Sequence, residues 1–189
     1  MVGLDEVGRG PLAGPVVTSA VVLRIGQSVP GATDSKLLDA PVREELARKI
    51  LASALAVGIG AASPREIDRI NILQATNRAM TRALSQVRHR LGCSPDHVVV
   101  DGLPLKSVDW QHEAVVGGDS RVHSIACASI VAKVCRDRLM TQLASRYPDY
   151  GWDHNAGYAT PEHREAINRL GPTPHHRMTF GLLQLTLEL

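Results

Sequence analysis

The chain has 189 residues, is 44% hydrophobic and 21% charged, and carries a formal net charge of +2. That length fits one domain with a sizeable core, and that composition excludes disorder. Aromatics at 3% argue against a base-stacking surface for single strands, and three cysteines without a C-x-x-C pair exclude a disulfide framework or zinc cluster.

Met1–Asp5 predicts a short strand, and the β-branched run Pro15–Leu23 predicts a second, buried on at least one face. Pro11 and Gly14 keep the connection short, so the two are expected to be antiparallel neighbours. Val42, Leu46, Ile50 and Leu51 recur at helical spacing within Ala40–Ala56, and Leu55–Ala61, with Gly58 and Gly60, reads as a third strand. Ser63-Pro64-Arg65-Glu66 has the pattern of a capping box and opens a helical region running to about Arg90. His97–Gly102 predicts a strand ending in Asp101, and Glu113–Asp119 another ending in Asp119. A long helix is expected over Val122–Arg146, with Ala128, Val131, Cys135, Leu139 and Leu143 on one apolar stripe and Cys127 and Cys135 as buried thiols. Beyond Pro148 come a Gly-, His- and aromatic-containing loop, a helix over Pro161–Leu170 and the basic turn His175-His176-Arg177. This order indicates one α/β domain with a mixed sheet. The N-terminus has no leader pattern and no apolar run is long enough to span a membrane, so a reducing cytoplasm is the expected location.

Asp5, Asp101 and Asp119 each fall at the end of a predicted strand, where α/β sheets gather ligand sites. Strand-end Asp residues also favour turns, but three together, joined by Glu6, would repel one another unless cations lay between them. Such a set suits a two-Mg²⁺ phosphoryl-transfer site. Neighbouring strand side chains face opposite ways, so Asp5 and Glu6 can both contribute only if the strand ends or bulges, which Gly8 permits. Gly8-Arg9-Gly10 can present backbone amides to a phosphate or a ribose hydroxyl. A dinucleotide fingerprint does not fit, because Pro11, Gly14 and Pro15 demand a turn and then a strand where that fingerprint opens a helix. Ser129, Lys133 and Asp137 follow at i, i+4 and are expected on a face opposite the apolar stripe, either with Lys133 neutralising a substrate phosphate and Arg136 nearby, or simply as a solvated surface. Tyr158 is either a packing residue or a sugar-stacking platform. His154, His175 and His176 suit Mg²⁺ less well than carboxylates do.

The segments DEVGRGPLAGPVV from Asp5, DSK at Asp34 to Lys36, SPREIDRINILQAT from Ser63, VDG ending at Gly102, GD at Asp119, ASIVAKVCRDR from Ala128 and GYAT from Gly157 together resemble bacterial ribonuclease HII over nearly the whole chain. The resemblance implies a ribonuclease H-like α/β fold: a five-stranded mixed sheet flanked by helices, with a C-terminal helical extension over about 148–189. It implies that Asp5, Glu6, Asp101 and Asp119 are the catalytic, metal-holding acids and that Mg²⁺ or Mn²⁺ is required. It further implies that Gly8, Arg9, Gly10 and Tyr158 recognise the ribonucleotide, with Lys36, Ser129 and Lys133 as further substrate-binding residues. The implied activity is endonucleolytic cleavage of RNA in RNA–DNA hybrids and at single ribonucleotides in duplex DNA, leaving 3′-hydroxyl and 5′-phosphate ends, by a monomer with no membrane partner. Gly117 and Asn155-Ala156 depart from the family pattern, which commonly has Lys before Gly-Asp and His-Lys before Gly-Tyr. These changes remove positive charge near the site. Two alternatives stay open: a related nuclease that ignores the 2′-OH, and a silent hybrid-binding module. The four carboxylates argue against the second, since binding alone gains nothing from negative charge beside phosphate.

Overall fold

A computed structural model describes residues 1–180; the end of the predicted C-terminal extension, 181–189, lies outside the described residues. Five strands, β1 (Val2–Val7), β2 (Val16–Val22), β3 (Ala56–Ala62), β4 (Val98–Asp101) and β5 (Glu113–Val115), form one sheet in the order β3-β2-β1-β4-β5. β1 pairs antiparallel with β2, as the short connection predicts, and parallel with β4, while β5 extends the parallel half. All seven residues of β2 are buried, because helices cover both faces of the sheet.

Successive β2 side chains divide between those faces. Ala20 and Val22 join Leu4, Met80, Leu84 and Val100 under helix α2 (Pro64–Leu91), whereas Val21 joins Ile50, Val57, Ile130 and Val131. The second cluster lies under helices α1 (Ala40–Ser53) and α3 (His123–Ala144). α2 rides directly on β3: a Cβ at Gly60 would sit 1.9 Å from the carbonyl oxygen of Ala79, so only glycine permits that approach. A third core gathers Leu12, Met140, Tyr150, Trp152 and Ile167, and it fastens the short helix α4 (Trp152–Asn155) and helix α5 (Pro161–Leu170) to the β1–β2 loop.

Three expectations are corrected. The helix over 64–91 is broken at Asn71 (φ 67°, ψ 165°), whose side chain accepts from the Gln74 N–H at 3.0 Å and so caps the second segment. The strand over 113–119 stops at Val115, because Gly117 turns left-handed (φ 63°) and a 3-10 turn over Gly118–Ser120 carries Asp119. In α3 the apolar stripe does not persist: Leu139 is exposed, and Arg136, Met140 and Ala144 face inward there. The first half of α3 is covered on nearly every side, so local periodicity says little about its second half.

Candidate active site

Asp5 lies within β1, opposite Ser19 of β2, rather than at the strand end. Asp101 ends β4, and Asp119 sits in the turn beyond β5. One carboxylate oxygen from each of Asp5, Asp101 and Asp119 lies within 4.8 Å of the others. The parallel β1–β4 pairing brings the first two side by side. The third arrives because the left-handed Gly117 folds the chain back, and Asp101 fixes that turn by accepting the Gly118 N–H at 2.7 Å.

Burial pushes the Asp5 carboxyl well above the usual carboxylate range, and the Glu6 and Asp101 charges push it further. Asp119 is raised too, first by burial and then by Asp34 and Asp101, with Lys36 easing it. Among the described residues, no ion pair neutralises any of the three aspartates. Converging hard oxygen donors, desolvated and without a cationic side chain bonded to them, are the donor set that divalent cations of the Mg²⁺ and Mn²⁺ kind take. The residues fit the metal.

Glu6 is apart from this triad, as the alternation of a strand requires. It belongs to a cleft of about 740 Å³ on the α2 side, lined also by Arg9, Asn77, Met80, Asp101 and Leu103. Burial raises its carboxyl while Arg9, 3.2 Å away, lowers it. Asp101 is common to the triad and the cleft, so the two carboxylate groups meet at the end of β4 without a bulge in β1.

The other predicted residues fall into three settings. Gly8 has φ 87°, and Tyr158 stands half-exposed across the loop, about 4.0 Å from where a side chain on Gly10 would begin. Lys36 lies near Asp119 in a turn capped by Asp34. Ser129 is buried, not on an open helix face: its hydroxyl donates to that of Ser35 at 2.8 Å, and it lies close enough to Asp5 to ease that carboxyl downward. Lys133 is tied to Asp137 at 2.7 Å and lines a separate cleft of about 660 Å³ with Arg43, Arg138 and His154. His154 pairs with Asp153 and Glu162.

Sequence reasoning gave no role to three residues that organise the site. Arg136 and Arg177, both fully buried, donate to backbone carbonyls of the Gly8–Pro15 loop, and His163 donates from Nδ1 to the Tyr158 carbonyl at 2.8 Å. Their partners are as many as 169 positions away, beyond any local pattern. The available signal was the basic turn around Arg177. Asn155 is likewise a structural residue, donating to the Tyr150 carbonyl at 2.7 Å and accepting the Gly157 N–H at 2.8 Å.

Over residues 2–182 the chain matches the family model described as Ribonuclease HII. A relative of that name from Thermosynechococcus vestitus is 52% identical over 183 residues, spanning 95% of this chain and 83% of the relative. Another from Rhodospirillum rubrum is 53% identical over 184 residues with the same coverage. Among solved structures, the ribonuclease H2 of Pyrococcus horikoshii OT3 matches with a TM-score of 0.82 at 25% identity, over 99% of this chain and 96% of that one. Bst-RNase HIII in complex with Mn²⁺ shares the fold, with a TM-score of 0.76 at 19% identity over 99% of this chain and 68% of that one.

Proposed function

The chain belongs to the ribonuclease HII family and is a metal-dependent endoribonuclease acting on the RNA of RNA–DNA hybrids, and we propose that it also cuts 5′ of single ribonucleotides embedded in duplex DNA. The observation that carries this reading is the meeting of Asp5, Asp101 and Asp119 within 4.8 Å on the sheet that also bears the Gly8–Gly10 loop at the end of β1. Asp5, Asp101 and Asp119 hold Mg²⁺ or Mn²⁺, with Glu6 completing the set from the other side of Asp101. A pair of such cations would supply Lewis acidity for the attacking water and offset charge on the leaving 3′ oxygen, consistent with 3′-hydroxyl and 5′-phosphate ends.

The protein's own groups do the positioning. The Gly8–Gly10 amides and Tyr158 read the 2′-hydroxyl, a group that is both donor and acceptor and that DNA lacks. Arg9 and Lys36, cations flanking the acids on either side, take backbone phosphates. Ser129 braces Asp5 from beneath. Every residue in this scheme comes from one chain, so a monomer suffices.

Cleavage of duplex DNA with one ribonucleotide, in Mg²⁺ or Mn²⁺, tests the reading against an all-DNA duplex of the same sequence. Cutting of the first alone is expected, and equal cutting of both would remove the 2′-hydroxyl from the account. Asp101→Asn should lower kcat by at least about 10³-fold with the thermal midpoint kept or raised, since one repelling charge is gone.

A further inference from the structure

The Gly8–Pro15 loop is held by two buried cations that reach no substrate. Arg136, fully buried on α3, donates from Nε to Pro15 O at 3.0 Å, from Nη2 to Ala13 O at 3.0 Å and from Nη1 to Ala156 O at 2.9 Å. Arg177, fully buried beyond α5, donates from Nε to Gly14 O at 3.0 Å, from Nη1 to Arg9 O at 2.8 Å and from Nη2 to Gly8 O. Six carbonyls are thus drawn to two guanidinium groups, and neither group has a carboxylate salt-bridge partner among the described residues.

Burying a charge without a counter-ion is costly, and carbonyl dipoles repay it only when they converge on the fork. Burial first, and then the neighbouring Arg136 charge, bring the Arg177 guanidinium down to about 9, with the Asp68 carboxylate, which forms no salt bridge to it, offsetting only part of the fall. Such a cost points to a geometric need. With the carbonyls of Gly8 and Arg9 turned inward, the loop is fixed in one conformation at the end of β1. Gly8 is part of the fit, since a Cβ there would lie 2.1 Å from Arg136 Nε.

The same clamp reaches the tyrosine. Arg136 holds the Ala156 carbonyl, two residues before Tyr158, and the Leu12 N–H donates to Gly157 O at 2.8 Å. The Arg177 N–H donates to Leu12 O at 2.8 Å, so the loop, the tyrosine turn and the C-terminal segment share one hydrogen-bonded unit.

We infer that Arg136 and Arg177 are positioning residues for sugar selection: they lock the Gly8–Gly10 loop and the Tyr158 turn into one rigid reader of the 2′-hydroxyl. This rests on the proposal that these two segments read the sugar. It adds that the discrimination is set by two residues that never touch the nucleic acid. A loosened loop would still bind duplex through Arg9 and Lys36 but would no longer distinguish ribose from deoxyribose.

The test is equilibrium binding in an Asp101→Asn background, with two duplexes differing by one 2′-hydroxyl. The background protein should prefer the ribonucleotide duplex by about ten-fold or more, the worth of one or two well-placed hydrogen bonds. Adding Arg177→Met should bring that preference to within about two-fold while affinity for the all-DNA duplex holds. Arg136→Lys should lose part of the preference, because an ammonium lacks the planar fork that meets three carbonyls at once. If the background protein shows no preference, the sugar reading fails and the inference falls with it. If the background prefers ribose and a folded Arg177→Met protein keeps that preference, the inference alone is overturned. Should Arg177→Met lose its cooperative melt, Arg177→Lys decides in its place: a folded lysine variant with undiminished preference is equally fatal.

Discussion

At the scale of the residue, the site separates positions readable from chemistry from those that only the fold assigns. Asp5, Asp101 and Asp119 are legible as a set: each alone suits a turn, but three such acids joined by Glu6 would repel one another unless cations lay between them. Gly117 is the informative departure. It occupies the left-handed region with open space around it, next to the turn that carries Asp119. A lysine there would pay about 1–2 kcal/mol of backbone strain and would set a cation beside the path of the substrate phosphates. Gly117→Lys should therefore melt a few degrees lower yet bind better, with KM down by up to about five-fold at low salt. The slope of log KM against log salt should steepen by about one. An unchanged salt slope would mean that position 117 does not face the nucleic acid. Arg136 and Arg177 show the opposite kind of residue. Arg136 was visible only as a charge near Lys133 and Arg177 only as part of a basic turn, because their six carbonyl partners sit on segments that no period connects to them.

At the scale of the element, strands and helices were legible wherever local chemistry decides them, and illegible where tertiary contacts do. The capping box at Ser63 forms as its residues dictate: Ser63 Oγ accepts the Glu66 N–H at 3.2 Å, and Glu66 accepts the Ser63 N–H at 3.1 Å. Arg82 then grips Glu66 at 2.7 Å and pulls its carboxyl down to about 2. The break at Asn71 was not legible, since nothing nearby forbids a helix. It matters because it aims the second segment, with Leu73, Thr76 and Asn77, at the cleft beside Glu6. Its backbone lies where glycine is nearly the only comfortable residue, and asparagine offsets part of the strain through its cap to Gln74. Asn71→Ala should cost about 2 kcal/mol in urea unfolding, as cap and local tolerance are lost together. Asn71→Gly should stay within about 1 kcal/mol of wild type, trading the cap for relief of strain. Equal losses in the two variants would show that the backbone angle is not what asparagine serves.

At the scale of the whole molecule, the C-terminal segment brings to the sheet a histidine network that is satisfied only when neutral. The Thr173 N–H donates to His176 Nδ1 at 2.9 Å, so the His176 proton is on Nε2 and points at His163 Nε2, 3.2 Å away. His163 Nε2 also accepts from Trp152 Nε1 at 2.9 Å, which leaves its own proton on Nδ1 for the Tyr158 carbonyl. A second proton on His163, at Nε2, would set an N–H against two N–H donors. Burial first, and then the His163 charge, push His176 down to about 4 from an unfolded value of 6.5, and burial lowers His163 as well. Between those values the unfolded chain binds protons that the fold excludes, so stability is whole above about pH 6.5 and falls toward pH 4. The fall from His176 alone is at most about 1.4 kcal/mol per pH unit. The clustered acids run the other way. Burial raises Asp5, Glu6 and Asp119, so the folded state takes up their protons early and their mutual repulsion fades as pH drops. Wild type alone therefore gives a mixed profile, and the difference between wild type and His176→Asn isolates the histidine part. The asparagine variant should melt lower at pH 7.5 but lose less on going to pH 4.5, because no ring is left there to protonate. Parallel profiles for the two proteins would show that this network does not set the acid limit of the fold.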